Sequence, residues 1–255
     1  MLSKKDIKKI PRSYEVVGDI LIFSDFPREL KKKEKEVGNY LLKQIKNVKV
    51  IAKKSKKYSG KYRTPKLKIL AGEKRKETIH KENGVLIKVN PEKAYFSSRS
   101  SSERIRVANL VKKDESVLVM FSGVAPFPLV ISKHSKAKEA YGIEINKQAH
   151  KYGLENIKIN KLKNINLFKG NVKKILPKIK KKFDRIVMPL PKSSEDYLNL
   201  ALKYLKKNGK IHIYLFEHEN DFKKLKEKYK KYKPKLTKAG SPSPGKFRVC
   251  LELKA

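Results

Sequence analysis

Apolar and polar positions follow two different rhythms along the chain, and the change falls near residue 92. Over residues 14–88 the apolar positions come in short runs or alternate with polar ones: Tyr14-Glu15-Val16-Val17, Ile20-Leu21-Ile22-Phe23, Val48-Lys49-Val50-Ile51 and Val85-Leu86-Ile87-Lys88-Val89. A period of two is the pattern of half-buried strands. One helical stretch interrupts them, over roughly 34–45, where Val37, Leu41, Leu42 and Ile45 share a face. Residues 1–92 therefore read as a small α+β module with a sheet of its own.

Beyond residue 92, strand-like runs are each followed by a helical or turn segment. They are Val117-Leu118-Val119-Met120-Phe121, Ala140-Tyr141-Gly142-Ile143, Ile165-Asn166-Leu167-Phe168, Arg185-Ile186-Val187-Met188 and Ile211-His212-Ile213-Tyr214-Leu215. Strand and helix in alternation predict an α/β unit over 93–255 with a mostly parallel, doubly wound sheet. Lys235-Leu236-Thr237 and the run from Phe247 to Leu253 flank the turn-rich Ala239-Gly240-Ser241-Pro242-Ser243-Pro244-Gly245, so a hairpin is expected to finish that sheet. His80 and His212 sit inside apolar alternation and read as structural.

Composition adds a partner class. The 255 residues are 39% hydrophobic, enough for a real core, yet 65 Lys+Arg against 25 Asp+Glu leave a formal charge of +40. Such a charge repels itself in the compact state and suits a polyanionic partner, although general loading of the surface with Lys gives the same count. Basic runs such as Lys31-Lys32-Lys33, Lys53-Lys54 and Lys180-Lys181-Lys182 are spread throughout, which places the positive surface on the folded body. One cysteine, Cys250, excludes an internal disulfide and a Cys-rich zinc site, so no metal is expected. No run approaches the roughly 20 apolar residues of a membrane span and the start lacks a signal peptide's apolar segment, so the expectation is a cytoplasmic protein without membrane contact or stable protein partner.

The candidate chemistry lies in the second part. A strand running into Phe121, the turn Ser122-Gly123-Val124-Ala125 and a helix from about Pro126 bring backbone N–H groups to the polar end of a ligand. Glu144 ends the next strand about 20 residues after Gly123, where a carboxylate can accept both ribose hydroxyls of a nucleoside. Asn171, in Phe168-Lys169-Gly170-Asn171, stands where an amide can face an adenine. Each has a plainer reading: an ordinary strand-to-helix turn, a solvated rim carboxylate and a Gly-Asn turn.

Motifs in separate parts of the chain resemble the archaeal and eukaryotic tRNA (guanine-37-N1)-methyltransferases and their wybutosine-pathway relatives. They are the segment from Ser13 to Ile20, Ala71-Gly72-Glu73-Lys74-Arg75-Lys76-Glu77-Thr78-Ile79-His80-Lys81-Glu82, Tyr95-Phe96-Ser97-Ser98-Arg99, Ser102-Glu103-Arg104, Phe121-Ser122-Gly123-Val124 and Asp184-Arg185-Ile186-Val187-Met188-Pro189-Leu190-Pro191. The resemblance implies a class I (Rossmann-like) methyltransferase domain that uses S-adenosyl-L-methionine, preceded by a tRNA-binding module that meets the anticodon stem-loop. The small N-terminal domain with which family members check the tRNA elbow is not expected within this chain.

By the same resemblance Glu103 is the general base at guanine N1, and Arg63 hydrogen-bonds O6. Pro189 lies at the base, Tyr95 and Arg99 organise the anticodon loop, and Phe121, Gly123, Val124, Glu144, Asn171 and Pro191 surround the cofactor. Glu103 also has a structural alternative: Ser100-Ser101-Ser102-Glu103 is a capping-box pattern ahead of the periodic Ile105, Ala108, Leu110 and Val111.

Three positions depart from the family pattern. Val119 replaces an acid on the first strand, Ala125 stands where Gly is common, and Pro189 stands where an Asn precedes Leu-Pro. Proline has no side-chain donor or acceptor with which to orient guanine. It resembles instead the branch that methylates both guanosine N1 and carbon 7 of a wyosine intermediate. Aminocarboxypropyl transferases of the same family typically lack an Arg-containing segment like Ser98-Arg99-Ser100 and remain an alternative, as does a noncatalytic RNA-binding relative altered at Val119 and Ala125.

Overall fold

The computed structural model describes residues 2–59 and 64–255, which gather into two compact units, Met1–Ser98 and Arg99–Ala255. Residues 93–98, beyond the change of rhythm, lie with the first unit.

The first unit contains α1 (Lys4–Lys8), β1 (Tyr14–Val17), β2 (Ile20–Phe23), α2 (Glu34–Gln44), β3 (Val50–Ser59), β4 (Thr64–Gly72), β5 (Thr78–Glu82) and β6 (Val85–Val89). Its four-stranded sheet has the order β1-β2-β3-β4, and β5 and β6 pair as a separate antiparallel hairpin. β2 and β3 run parallel, which requires the crossover that α2 supplies. Val37 and Leu41, one helical turn apart, bury against Leu21, Phe23 and Ile51. The sequence pattern assigned neither α1 nor β4. In β4 the exposed positions between buried Pro65, Leu67 and Leu70 include Lys66 and Lys68, so lysine masks the alternation.

The motifs from Ser13 to Ile20 and from Ala71 to Glu82 meet in a local knot. Asp19 accepts both Nη atoms of Arg75 (2.9 and 2.5 Å) and the Thr78 hydroxyl (2.7 Å), and the Gly18 N–H donates to His80 Nδ1 at 3.1 Å. Arg75 is the main cause of an Asp19 carboxyl held below its ordinary value. Gly18 has φ +57°, and a Cβ there would lie 2.1 Å from Thr78 Oγ1, so no other residue fits the turn.

The second unit runs α3 (Ser101–Asn109), β7 (Ser116–Met120), α4 (Pro126–His134), β8 (Glu139–Glu144), α5 (Lys147–Ile159), β9 (Ile165–Lys169), α6 (Val172–Ile179), β10 (Phe183–Met188), α7 (Leu198–Lys203), β11 (Leu205–His218), α8 (Phe222–Lys228), β12 (Lys235–Lys238) and β13 (Lys246–Lys254). The sheet order is β12-β13-β11-β10-β7-β8-β9. The strands from β9 to β11 are parallel, and the expected hairpin β12–β13 closes the sheet antiparallel to β11. The chain winds outward from β7 in one direction and returns at β10 to wind in the other. The carboxyl ends of β7, β8 and β10 therefore border the switch point at which such sheets bind ligands.

Leu118, Met120, Ile186, Met188, Ile211 and Ile213 fill the core on one face. On the other, Arg185 is fully buried. Glu115 (2.8 and 3.1 Å), the Leu110 carbonyl (2.6 Å) and His212 Nε2 (2.7 Å) satisfy its guanidinium. Burial, then the charge of Arg185, holds the His212 imidazole well below its ordinary value, so it stays neutral.

Candidate active site

Three residues after β7 have left-handed backbone: Phe121 (φ +61°), Gly123 (φ +57°) and Ala125 (φ +68°). The loop is pinned on both sides. The Ser122 N–H continues the ladder to the Ile143 carbonyl (3.0 Å), and the side-chain amide of fully buried Asn156 on α5 donates to the Val124 carbonyl (3.0 Å). This conformation turns the Gly123 N–H onto Glu144 Oε2 at 2.7 Å, while the Asn146 N–H donates to Oε1 at 2.7 Å. β8 approaches closely because of Gly142, where a Cβ would stand 2.4 Å from Leu167 Cδ2 and 2.9 Å from Ser122 Oγ.

Burial pushes the Glu144 carboxyl above its ordinary value, and the Asn146, Gly123 and Ile145 N–H groups hold it back. All three donors are neutral, and a carboxylate has about four acceptor sites in all. A neutral hydroxyl can add to this donor set without importing charge. Asn171 caps α6 by accepting the Lys173 N–H at 2.9 Å, and Lys173 Nζ lies 5.4 Å over the Tyr197 ring. Tyr197 in turn meets Phe121 edge-on at 4.8 Å. The sequence pattern did not reveal Tyr197 as a neighbour of Phe121, because it lies in a short turn with no periodicity.

Pro189, Leu190 and Pro191 follow β10. The hydroxyl of fully buried Ser194 reaches the carbonyls of Met188 (2.9 Å) and Leu190 (2.8 Å), and the Leu190 N–H donates to Met188 O (2.9 Å). Ser194 thus ties a loop in which two prolines provide no N–H of their own.

The capping-box reading of Glu103 is not what the fold uses. Ser100 makes no side-chain cap, and its hydroxyl accepts Arg248 Nη1 at 2.7 Å. Glu103 points inward and is 5% exposed. Arg106, one turn on, grips it through Nε to Oε2 and Nη2 to Oε1, both 2.7 Å, and the Tyr214 hydroxyl donates to Oε1 at 2.6 Å. Tyr214 lies on the β11 face shared with His212 and opposite Ile211 and Ile213. β10 ends at Met188, which pairs with Ile213, so Tyr214 and Pro189 stand at the same level of the carboxyl edge. The sequence pattern singled out neither Arg106, an i,i+3 neighbour, nor Tyr214, from the opposite end of the unit.

Three expected residues remain to be placed. Tyr95, 50% exposed, lines a small pocket of the first unit with Glu15 and Phe96, and Arg99 is exposed. Arg63 lies outside the described residues. Among the described residues no group of His, Cys, Asp and Glu could hold a metal ion, and no helix is long and apolar enough to cross a membrane.

Residues 78–239 match the TRM5/TYW2 methyltransferase domain and residues 1–75 the TYW2 N-terminal domain. The chain is 40% identical over 83% of its length to the tRNA (guanine(37)-N(1))-methyltransferase Trm5b of Pyrococcus abyssi, of which it spans 62%. It is 34% identical over 84% of its length, and 88% of the relative, to the tRNA (guanine(37)-N(1))/4-demethylwyosine(37)-methyltransferase Taw22 of Nanoarchaeum equitans. To a tRNA(Phe) (4-demethylwyosine(37)-C(7)) aminocarboxypropyltransferase of Methanocaldococcus jannaschii it is 33% identical over 94% of its length and 97% of the relative. The crystal structure of Methanocaldococcus jannaschii Trm5 in complex with adenosine superposes with a TM-score of 0.82 at 32% identity, covering 99% of this chain and 78% of that one. With the doubly wound sheet in place, these matches show that the chain belongs to the TRM5/TYW2 methyltransferase family.

Proposed function

We propose that the protein is a tRNA methyltransferase that uses S-adenosyl-L-methionine on the purine 3′ to the anticodon, forming N1-methylguanosine. The observation that carries this reading is the pair Gly123 and Glu144 at the switch point, a carboxylate held by neutral backbone N–H groups beside a left-handed turn. There Glu144 holds the ribose hydroxyls, Asn171 lies toward the adenine, and Phe121, Val124 and Pro191 enclose the nucleoside. The sulfonium supplies an activated methyl group when bound.

At the base, Glu103 takes the N1 proton and Arg63 donates to O6, where negative charge collects as that proton leaves. Bound there, the sulfonium would supply the methyl carbon to which the N1 lone pair bonds, with the carbon–sulfur electron pair going to sulfur. Pro189 borders the base, and Tyr95 and Arg99 contact the anticodon stem-loop. The +40 charge supports affinity for a polyanion of any sequence.

A second reading is methylation of carbon 7 of a wyosine intermediate, favoured by Pro189. Without a side-chain amide at this position, the site imposes less on the hydrogen-bonding edge of guanine. Aminocarboxypropyl transfer is the third chemistry found among relatives. Incubation with S-adenosylmethionine and anticodon stem-loops bearing G or A, then mass spectrometry of the nucleosides, separates them. N1-methylguanosine from the G form alone is expected; no modification of it would overturn the primary reading.

A further inference from the structure

We propose that Tyr214 is the positioning residue of Glu103, and that the grip of Tyr214 and Arg106 leaves Oε2 as the atom that takes the proton. This rests on the reading of Glu103 as general base. A carboxylate has about two acceptor sites on each oxygen. Both at Oε1 are filled, by the Tyr214 hydroxyl at 2.6 Å and Arg106 Nη2 at 2.7 Å. Oε2 accepts Arg106 Nε alone, at 2.7 Å. Three bonds from two elements fix both the place and the plane of the group, and one lone pair of Oε2 is left open.

The surroundings keep that assignment unambiguous. The ionisable groups facing the carboxylate are Arg106 from α3, the Tyr214 hydroxyl from β11 and the Cys250 thiol from β13. Burial holds the Tyr214 hydroxyl well above its ordinary value and pushes Cys250 up to about 12, so both keep their protons and neither competes for the one from the base. Tyr214 is 2% exposed, with its ring 6.1 Å from that of Phe127. At 2.6 Å the hydroxyl makes its short bond to Oε1, and the Cys250 thiol lies beside it.

Tyr214→Phe removes only that hydroxyl. In single-turnover transfer of labelled methyl to the G-bearing stem-loop, the rate constant is expected to fall roughly tenfold, the size of one hydrogen bond to a charged group. Dissociation constants for the stem-loop and for S-adenosylmethionine should stay unchanged. Single-turnover amplitude reports the folded fraction, so a purely structural role lowers amplitude and melting temperature but not the rate constant. Arg106→Lys keeps the charge without the fork and should also slow the step, providing a second test if Tyr214→Phe folds poorly. In a Glu103→Gln background, Tyr214→Phe should add nothing. If Glu103→Gln reacts at the wild-type rate, the base reading itself fails. If Glu103→Gln is slow but Tyr214→Phe and Arg106→Lys are not, the positioning proposal alone is overturned.

Discussion

Two carboxylates of the second unit, Glu144 at the end of β8 and Glu103 on α3, are held in opposite ways. Glu144 rests on neutral backbone donors, two of them at 2.7 Å, with desolvation pushing its carboxyl upward. Glu103, beside β11, is clasped by the guanidinium of Arg106 and capped by a phenol. The difference is one of charge compensation. Neutral donors bring no cation to Glu144, which suits a ligand that supplies further neutral donors such as hydroxyls. A cation and a phenol already bond Glu103 within the protein, which fixes the plane of the group and leaves it little acceptor capacity.

The largest effect should come from breaking the ionic half of that comparison. Arg106→Met leaves Glu103 buried without its counterion and is expected to cost about 3 kcal/mol of folding stability. Adding Glu103→Gln should recover much of the loss, because the orphaned charge is then gone. Denaturant unfolding of the two single variants and the double variant measures the coupling. A Met variant as stable as the parent would show that solvent, and not Arg106, compensates Glu103.

The neutral half breaks through the ligand instead. Glu144→Gln presents an amide N–H₂ to a site built from backbone N–H donors, so S-adenosylmethionine binding should weaken by roughly a hundredfold, as for charge-assisted bonds lost. Acidification should act similarly. Glu144 has a raised value in the fold, so it protonates before an ordinary carboxyl does as pH falls, and cofactor affinity should drop from above that range. The sign for stability is opposite: the folded state holds this proton more tightly than the unfolded chain. Between the unfolded and folded values, lowering the pH therefore adds stability through Glu144. Asp19, Asp184 and Glu139 are shifted downward and contribute the reverse. Calorimetric titration across pH, with Glu144→Gln as the flat reference, isolates the residue; a parallel decline in both proteins would remove Glu144 from the cofactor site.

The same contrast explains what was legible in the sequence. The contact of Glu144 with Gly123 is local to one β–turn–α–β unit, where spacing carries the information. The doubly wound sheet and the closing hairpin were readable for a similar reason, since each strand is an uninterrupted apolar run. Glu103 looked like a helix cap because its nearest neighbours are serines, whereas the partner that distinguishes it, Tyr214, is 111 residues away and reaches it only through strand order. β4 escaped notice where lysines occupy exposed positions of the strand. The motifs around Asp19 and Arg75 carried the resemblance without disclosing that they form a structural knot.

The smallest expected effect tests how much strain the Glu144 side stores. Ala125 is fully buried with φ +68°, in the turn that presents Gly123 to Glu144. A left-handed backbone costs an L-residue roughly 1 kcal/mol or more, and glycine removes that cost. Glycine also enlarges the freedom of the unfolded chain, which offsets about 0.4–1 kcal/mol. Ala125→Gly should therefore stabilise the fold by only a few tenths of a kcal/mol, a rise in Tm on the order of 1 °C. Cofactor affinity should change little, because Gly123 and Asn146 still donate to Glu144. A clear loss of affinity in a variant of unchanged Tm would mean that the Ala125 methyl, set against Gly153 of α5, helps hold the turn in register, and that the neutral site depends on packing as well as on its donors.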